Sequence, residues 1–265
     1  MSTWSSEPDW NHVQDTPLLT RGNAHFWRVD VETTHSIHSS TWLEPDERAK
    51  ADRYYRFADR ARFSAGRTAL RLLLAGYLRS SPRALRFEAG SHGKPFLPDA
   101  PGLSFNLSHS GGWVVIGVAT GAAVGVDVES IVAGANAASL AGIGLSARER
   151  QWVETASPEA PQTAFYRAWT RKEAYLKMLG SGLVDNLSDL DCRLEGPHLM
   201  EAARLDAHQK HIELHHVSLH EASPGEGYVA ALVTDEPGCT VRRLTFDSGR
   251  FSASRNRTNC TLSTK

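Results

Sequence analysis

Cysteine is scarce in this chain, and with it the chemistry that cysteine carries. There are three, Cys192, Cys239 and Cys260, odd in number and never in a Cys-x-x-Cys pair, so neither a disulfide framework nor a zinc site is suggested and they read as reduced thiols. A charge of one sign is lacking too. With 29 Lys and Arg against 30 Asp and Glu the formal net charge is -1, so no global field draws the chain to nucleic acid or to an anionic membrane, and any polyanion site has to be local. No stretch approaches the roughly 20 apolar residues of a membrane span, and the opening MSTWSSEPDWNHVQDTP has no basic region followed by an apolar one. These absences lead us to expect a soluble, cytoplasmic protein that binds neither membrane nor nucleic acid. What is present is ordinary for a globular chain: 265 residues, 41% hydrophobic and 22% charged, enough for a substantial core.

Periodicity divides the chain into two halves of mixed α and β structure. Residues 1–24 are polar and read as an extended lead-in before a first strand at His25–Val31. From Asp46 to Arg79 the pattern is helical, first basic (ERAKADRYYRFADRARF) and then amphipathic through Leu70, Leu73, Leu74, Tyr77 and Leu78, with a break near Phe57–Arg60. Three apolar runs, Leu103–Leu107, Trp113–Ala119 and Ala123–Val128, are separated by turn signals and read as an antiparallel meander. The Gly/Ala stretch VAGANAASLAGIG reads as a link to the second half, which opens at Ser146 with a Ser-x-x-Glu capping box to Glu149. A helix over Glu159–Leu179 follows, then strands at Leu190–Leu194, Ile212–Leu219 and Tyr228–Val233. The segment HVSLHEASPGEGYVAALV echoes LSFNLSHSGGWVVIGVA, a hint of duplication. The expected units are therefore a lead-in 1–24, halves 25–130 and 131–240, and a basic tail 241–265 read as a solvated terminus.

Three clusters carry chemistry. In GVDVE, Asp127 and Glu129 lie two apart at a strand end and point to one face, where two carboxylates repel unless a hard cation such as Mg²⁺ or a proton compensates. In WTRKEAYLKMLGSGL, Trp169, Glu173 and Lys177 recur every four residues with Phe165 before them, placing an acid and a base on a helix stripe with aromatics. The third joins GKPFLP, with Lys94 held between Gly and Pro, to FNLSHSGGW, where Ser108, His109 and the glycines after them offer hydroxyl, imidazole and unhindered amides to phosphate oxygens.

FNLSHS, GVDVE and WTRKEAYLK, in this order and at about these spacings, resemble the signature of the Sfp-type 4′-phosphopantetheinyl transferases, and the likeness extends over about Glu44–Val233. The resemblance implies an α+β fold of two similar halves with the active site in the cleft between them, acting as a monomer. It implies coenzyme A as co-substrate, Mg²⁺ as cofactor and an apo acyl or peptidyl carrier protein as partner. By position, Asp127, Glu129 and Glu173 match its metal ligands, and Glu173 and Lys177 its catalytic pair. Ser108 and His109 match its phosphate contacts, Lys94 and Arg67 residues near the nucleotide, and Lys50 with Arg48 the cations at the 3′-phosphate. Glu173 is the expected base toward the carrier serine, with a metal-bound water the alternative. Two other readings stay open. Paired acids, lysines and a Gly-rich turn also suit a magnesium-dependent phosphohydrolase, and RYYRFADRARF interleaves Arg with aromatics as single-strand nucleic-acid binders do.

Overall fold

The computed structural model describes residues 10–38, 41–155, 161–180, 186–196, 198–206, 208 and 210–251; Cys260, Glu159, Leu183, the first nine residues of the lead-in and the tail beyond Phe251 lie outside them. In chain order the first half comprises β1 (Asn11–His12), β2 (Asn23–Asp30), α1 (Val31–His38), α2 (Pro45–Asp52), α3 (Phe57–Leu78), β3 (Glu88–Ala89), β4 (Pro95–Phe96), β5 (Leu103–Ser110) and β6 (Trp113–Thr120). After it come β7 (Val124–Ser130), α4 (Ala137–Gly144), α5 (Ala147–Thr155), α6 (Pro161–Leu179), β8 (Leu190–Leu194), β9 (Leu199–Leu205), β10 (His211–Ala222), β11 (Tyr228–Thr234) and β12 (Thr240–Thr245). Among the described residues no helix is long and apolar enough to cross a membrane.

The strands build two five-stranded sheets, in the orders β1-β12-β2-β6-β5 and β7-β11-β10-β9-β8, and the period of two along each strand decides what each face meets. On β2, Trp27 and Val29 face α3 and join Leu70, Leu73, Leu74, Phe105 and Ile116 in one core. Ala24 and Phe26, on the opposite face, pack with Val115, Val126, Val128 and Leu232 between the two sheets. Ala231 and Val233 of β11 turn to the far side and meet Tyr175, Met178, Val217 and Leu219 beneath α6. The layers run α3, first sheet, second sheet, α6. Both long helices follow from sequences rich in Ala, Leu and Arg or Lys; Pro161 stands at the first position of α6, where its missing N–H costs nothing.

The expected break between α2 and α3 and the capping box of α5 are present, the latter as Ser146 N–H to Glu149 Oε2 (2.8 Å) and Glu149 N–H to Ser146 Oγ (3.1 Å). Three expectations change. The apolar run after β6 is not the third strand of a meander: β7 pairs with β11 along its whole length and so lies in the second sheet, although the sequence placed it at the end of the first half. Its other edge meets β5 through side chains, as described below. Val132–Gly144 is more than a link, because Asn136 accepts Ser139 N–H (3.1 Å) and starts α4. The start of the basic tail is sheet structure and not a frayed end: β12 returns to the first sheet, buries Leu244 and pairs in parallel with both β1 and β2.

Candidate active site

The sheets meet along their edge strands β5 and β7, and side chains make the join. Ser104, Asn106, Ser108 and Ser110 alternate along β5, so all four face β7. Ser104 Oγ accepts Val124 N–H (3.2 Å), Asn106 Oδ1 accepts Val126 N–H (2.9 Å) and Ser110 Oγ accepts Ser130 N–H (3.1 Å). Hydroxyl and amide oxygens thus stand in for the missing strand partner and satisfy backbone donors that would otherwise be orphaned. The remaining protons reach the acids. Ser108 donates to Asp127 Oδ1 (2.8 Å) and Ser110 to Glu129 Oε2 (3.1 Å).

On the other side of β7 lies α6. Gly125 permits the contact: a Cβ there would fall 2.0 Å from the Ala174 carbonyl oxygen and 2.2 Å from Met178 N, so only a residue without a side chain lets the helix rest on the strand. Glu173 and Lys177, one turn apart, are thereby brought to the acids of β7. Lys177 Nζ donates to Asp127 Oδ1 (2.6 Å) and to Ser108 Oγ (3.0 Å). Asp127 is buried and its Oδ2 has no hydrogen-bond partner.

Electrostatics makes this arrangement one that calls for a cation. Burial raises the Asp127 carboxyl above the ordinary aspartate range, against the pull of Lys177 and Ser108. Burial and repulsion from Asp127 push Glu129 up to about 7, with Glu173 adding to it. Glu173 is raised by burial too, and by Asp127, while Lys177 opposes the shift. Three carboxylates that each resist ionisation because of their surroundings and one another form a donor set for a hard, oxygen-preferring divalent cation. Among the described residues no three acids, histidines or cysteines stand ready-made around a metal position. The set is open, and the unpartnered Asp127 Oδ2 is the acceptor that a cation would satisfy. On that observation the residues fit Mg²⁺.

Of the residues singled out in the sequence, Asp127, Glu129, Glu173, Lys177 and Ser108 come together. His109 is exposed near the end of β5, just before the turn where Arg62 Nη1 donates to the Gly111 carbonyl (3.2 Å). Glu173, Lys177 and Lys94 line one cavity of about 310 Å³, but Lys94 does not point its charge at an open nucleotide site. Its ammonium donates to three main-chain carbonyls, those of Val124 (3.0 Å), Lys177 (2.7 Å) and Met178 (3.1 Å), and so binds the start of β7 to the end of α6. Lysine near a helix C-terminus is where the macrodipole favours it. Arg67 lies against Glu47 (2.5 Å) and 4.0 Å over the ring of Phe87, and Arg71 shares the same carboxylate. Arg48 and Lys50 are exposed on α2, in separate depressions: Arg48 beside His35, Arg60 and Ser64, and Lys50 beside Arg53 and Tyr54, 5.3 Å over the ring of Phe63. Sequence reasoning missed Ser104, Asn106 and Gly125, and grouped Ser110 with the hydroxyls offered to phosphate, whereas it bonds Glu129 and Ser130. The polar alternation in SFNLSHS was the signal for Ser104 and Asn106; nothing local marked Gly125.

Two family models match, "4'-phosphopantetheinyl transferase, N-terminal" over residues 27–121 and "4'-phosphopantetheinyl transferase superfamily" over residues 123–233. The 4′-phosphopantetheinyl transferase HetI of Nostoc sp. is 37% identical over 188 residues, 68% of this chain and 76% of that protein. The chain belongs to the 4′-phosphopantetheinyl transferase family. The 4′-phosphopantetheinyl transferase Sfp of Bacillus subtilis is 27% identical over 192 residues, 70% of this chain and 80% of Sfp, and the transferase psf-1 of Bacillus pumilus is 33% identical over 149 residues, 56% and 63%. As a phosphopantetheinyl transferase the chain is an enzyme whose acceptors are carrier proteins, and its two α+β halves are the duplicated fold of that family. The two matched segments part just before β7, the point at which the chain leaves the first sheet for the second.

Proposed function

We propose that this phosphopantetheinyl transferase moves the 4′-phosphopantetheine arm of coenzyme A to a serine hydroxyl of an apo acyl or peptidyl carrier protein, with Mg²⁺ held by Asp127, Glu129 and Glu173. The observation that carries the reading is the buried, unpartnered Asp127 Oδ2 among three mutually repelling carboxylates, beside Lys177 and the His109–Gly112 turn. When bound, Mg²⁺ supplies positive charge to the diphosphate oxygens.

The protein's own groups do the rest. Glu173, raised by burial, accepts the proton of the carrier serine as its oxygen bonds to the β-phosphorus. The bond from that phosphorus to the bridging oxygen breaks, and the electron pair leaves with 3′,5′-ADP. Lys177, held by Asp127 and Ser108, faces the charge that gathers on the departing phosphate, and His109 with the amides of its turn binds the diphosphate. Arg48, Lys50 and Arg67 are assigned to the nucleotide end and its 3′-phosphate. Lys94, whose three protons are donated within the protein, holds the start of β7 to the end of α6 instead of meeting the nucleotide. The enzyme acts as a cytoplasmic monomer.

The test is incubation with coenzyme A, Mg²⁺ and a panel of apo carrier proteins from fatty-acid, polyketide and nonribosomal-peptide synthesis, each weighed by mass spectrometry. A carrier gaining the phosphopantetheine mass, with the gain abolished by a chelator and restored by Mg²⁺, is the expected result. Consumption of coenzyme A with every carrier unchanged would instead make the chain a hydrolase.

A further inference from the structure

The Gly111–Gly112 turn, two residues beyond His109 at the end of β5, is anchored from both halves. Within the first half, Val31 N–H donates to the Gly112 carbonyl (3.0 Å) and Arg62 to that of Gly111 (3.2 Å). The third anchor comes from the second sheet: Gly112 N–H donates to the hydroxyl of Tyr228 (3.1 Å), at the start of β11. Tyr228 pairs with Ser130 across the ladder and Val229 with Glu129, so its ring stands on the same piece of sheet as the acids. The fit leaves no slack. Gly111 has φ +54°, and a Cβ on it would lie 2.2 Å from the Tyr228 hydroxyl. Glycine is therefore required twice over, for its conformation and for the phenol's place.

We infer that Tyr228 is a positioning residue, setting the phosphate-binding turn of the first half at a fixed distance from the carboxylates of the second. The inference rests on the reading of that turn as the diphosphate site. Without the hydroxyl, Gly112 N–H loses its partner and the glycines of the turn are tied to the second sheet only through Ser110, by its bonds to Ser130 and Glu129, so their amides are held less firmly against the acids.

The experiment is steady-state kinetics of carrier modification in Tyr228→Phe, which keeps the ring and removes one hydrogen bond. A rise of about three- to tenfold in KM for coenzyme A is expected, the worth of one such bond, with kcat within twofold and the melting temperature unchanged. His109→Ala is run beside it, and so is the double variant, whose KM should exceed that of His109→Ala by less than twofold because both changes act through one turn. A Tyr228→Phe enzyme with wild-type KM, or losses that multiply in the double variant, would overturn the inference. If wild type transfers while His109→Ala keeps its KM for coenzyme A, the reading of the turn itself is overturned instead.

Discussion

Gly125→Ala is the substitution that tests most directly how the site is assembled, because it adds one methyl and no charge. The methyl would start 2.0 Å from the Ala174 carbonyl oxygen, 2.2 Å from Met178 N and 2.8 Å from Met178 Cα, all main-chain atoms that no rotamer can move aside. Ordinary contact needs roughly 3.5 Å, so helix and strand have to separate by about 1 to 1.5 Å. β7 resists, being laddered to β11 on one edge and bonded to Ser104, Asn106 and Ser110 on the other. α6 resists as well, since Lys172 binds Glu149 and both Arg167 and Arg171 bind Glu221 on β10. The strain amounts to about 1–3 kcal/mol by analogy with overpacked cores. The residues displaced are the turn bearing Glu173 and Lys177, and a shift of about 1 Å in reacting groups costs on the order of a hundredfold in rate. Single-turnover transfer and urea unfolding on the same preparation read both effects. Gly117→Ala is the control, because its methyl would meet only side chains, those of Val126, Val124 and Leu232 between the two sheets, and no atom of α6; it should lose stability but keep transfer within a fewfold of wild type. A Gly125→Ala enzyme with wild-type stability and a rate within threefold would refute the claim that main-chain contact sets the acids' spacing.

Other outcomes follow from the same geometry. Glu173→Gln should lose transfer by several orders of magnitude yet bind coenzyme A measurably by calorimetry; equal losses in both would restrict Glu173 to holding the metal. Lys94→Met strips the donor from three carbonyls and should lower the urea-derived stability by about 2 kcal/mol, whereas a nucleotide contact alone would raise KM for coenzyme A at unchanged stability. His25, which burial and the nearby Arg242 hold at about 4, accepts the Tyr77 hydroxyl (2.6 Å), itself the acceptor for Trp27. Between pH 6.5 and 4 the unfolded chain then binds a proton there that the folded chain does not, so stability falls as pH drops, by about 2 kcal/mol at pH 5. Comparing urea midpoints of wild type and His25→Gln at pH 7.5 and 5 isolates that share, and parallel losses in the two proteins would refute it.

The acids and their helical partners were legible in the sequence because their spacing is local: two residues along a strand for Asp127 and Glu129, four along a helix for Glu173 and Lys177. Their convergence was not. It depends on β7 leaving the first sheet, and an apolar run one turn after another looks the same whether it pairs with its neighbour or crosses to β11. Lys94 misled for a related reason. A lysine between Gly and Pro looks free to meet a ligand, and only the tertiary fold shows three carbonyls waiting at the end of α6. The last strand was hidden by composition, since in TVRRLT Arg242 and Arg243 sit between Val241 and Leu244, its only apolar residues, and mask the strand pattern that β2 and β1 pair with.

β12 sits between β1 and β2, which has a consequence for how the protein is made. As the chain emerges from the ribosome, β2 waits with one backbone edge open while more than two hundred residues are added, and only then does Thr240–Thr245 arrive to fill it. Until that moment Trp27 lacks its neighbour Leu244 and the first sheet offers an unpaired edge. Folding of the amino-terminal half is thus completed only once β12 has been made, through contacts of very large sequence separation, which are slow to form. A chain cut short before Thr240 would carry the whole catalytic constellation and still expose that edge, and the expected fate is aggregation, with transfer activity lost from the soluble fraction.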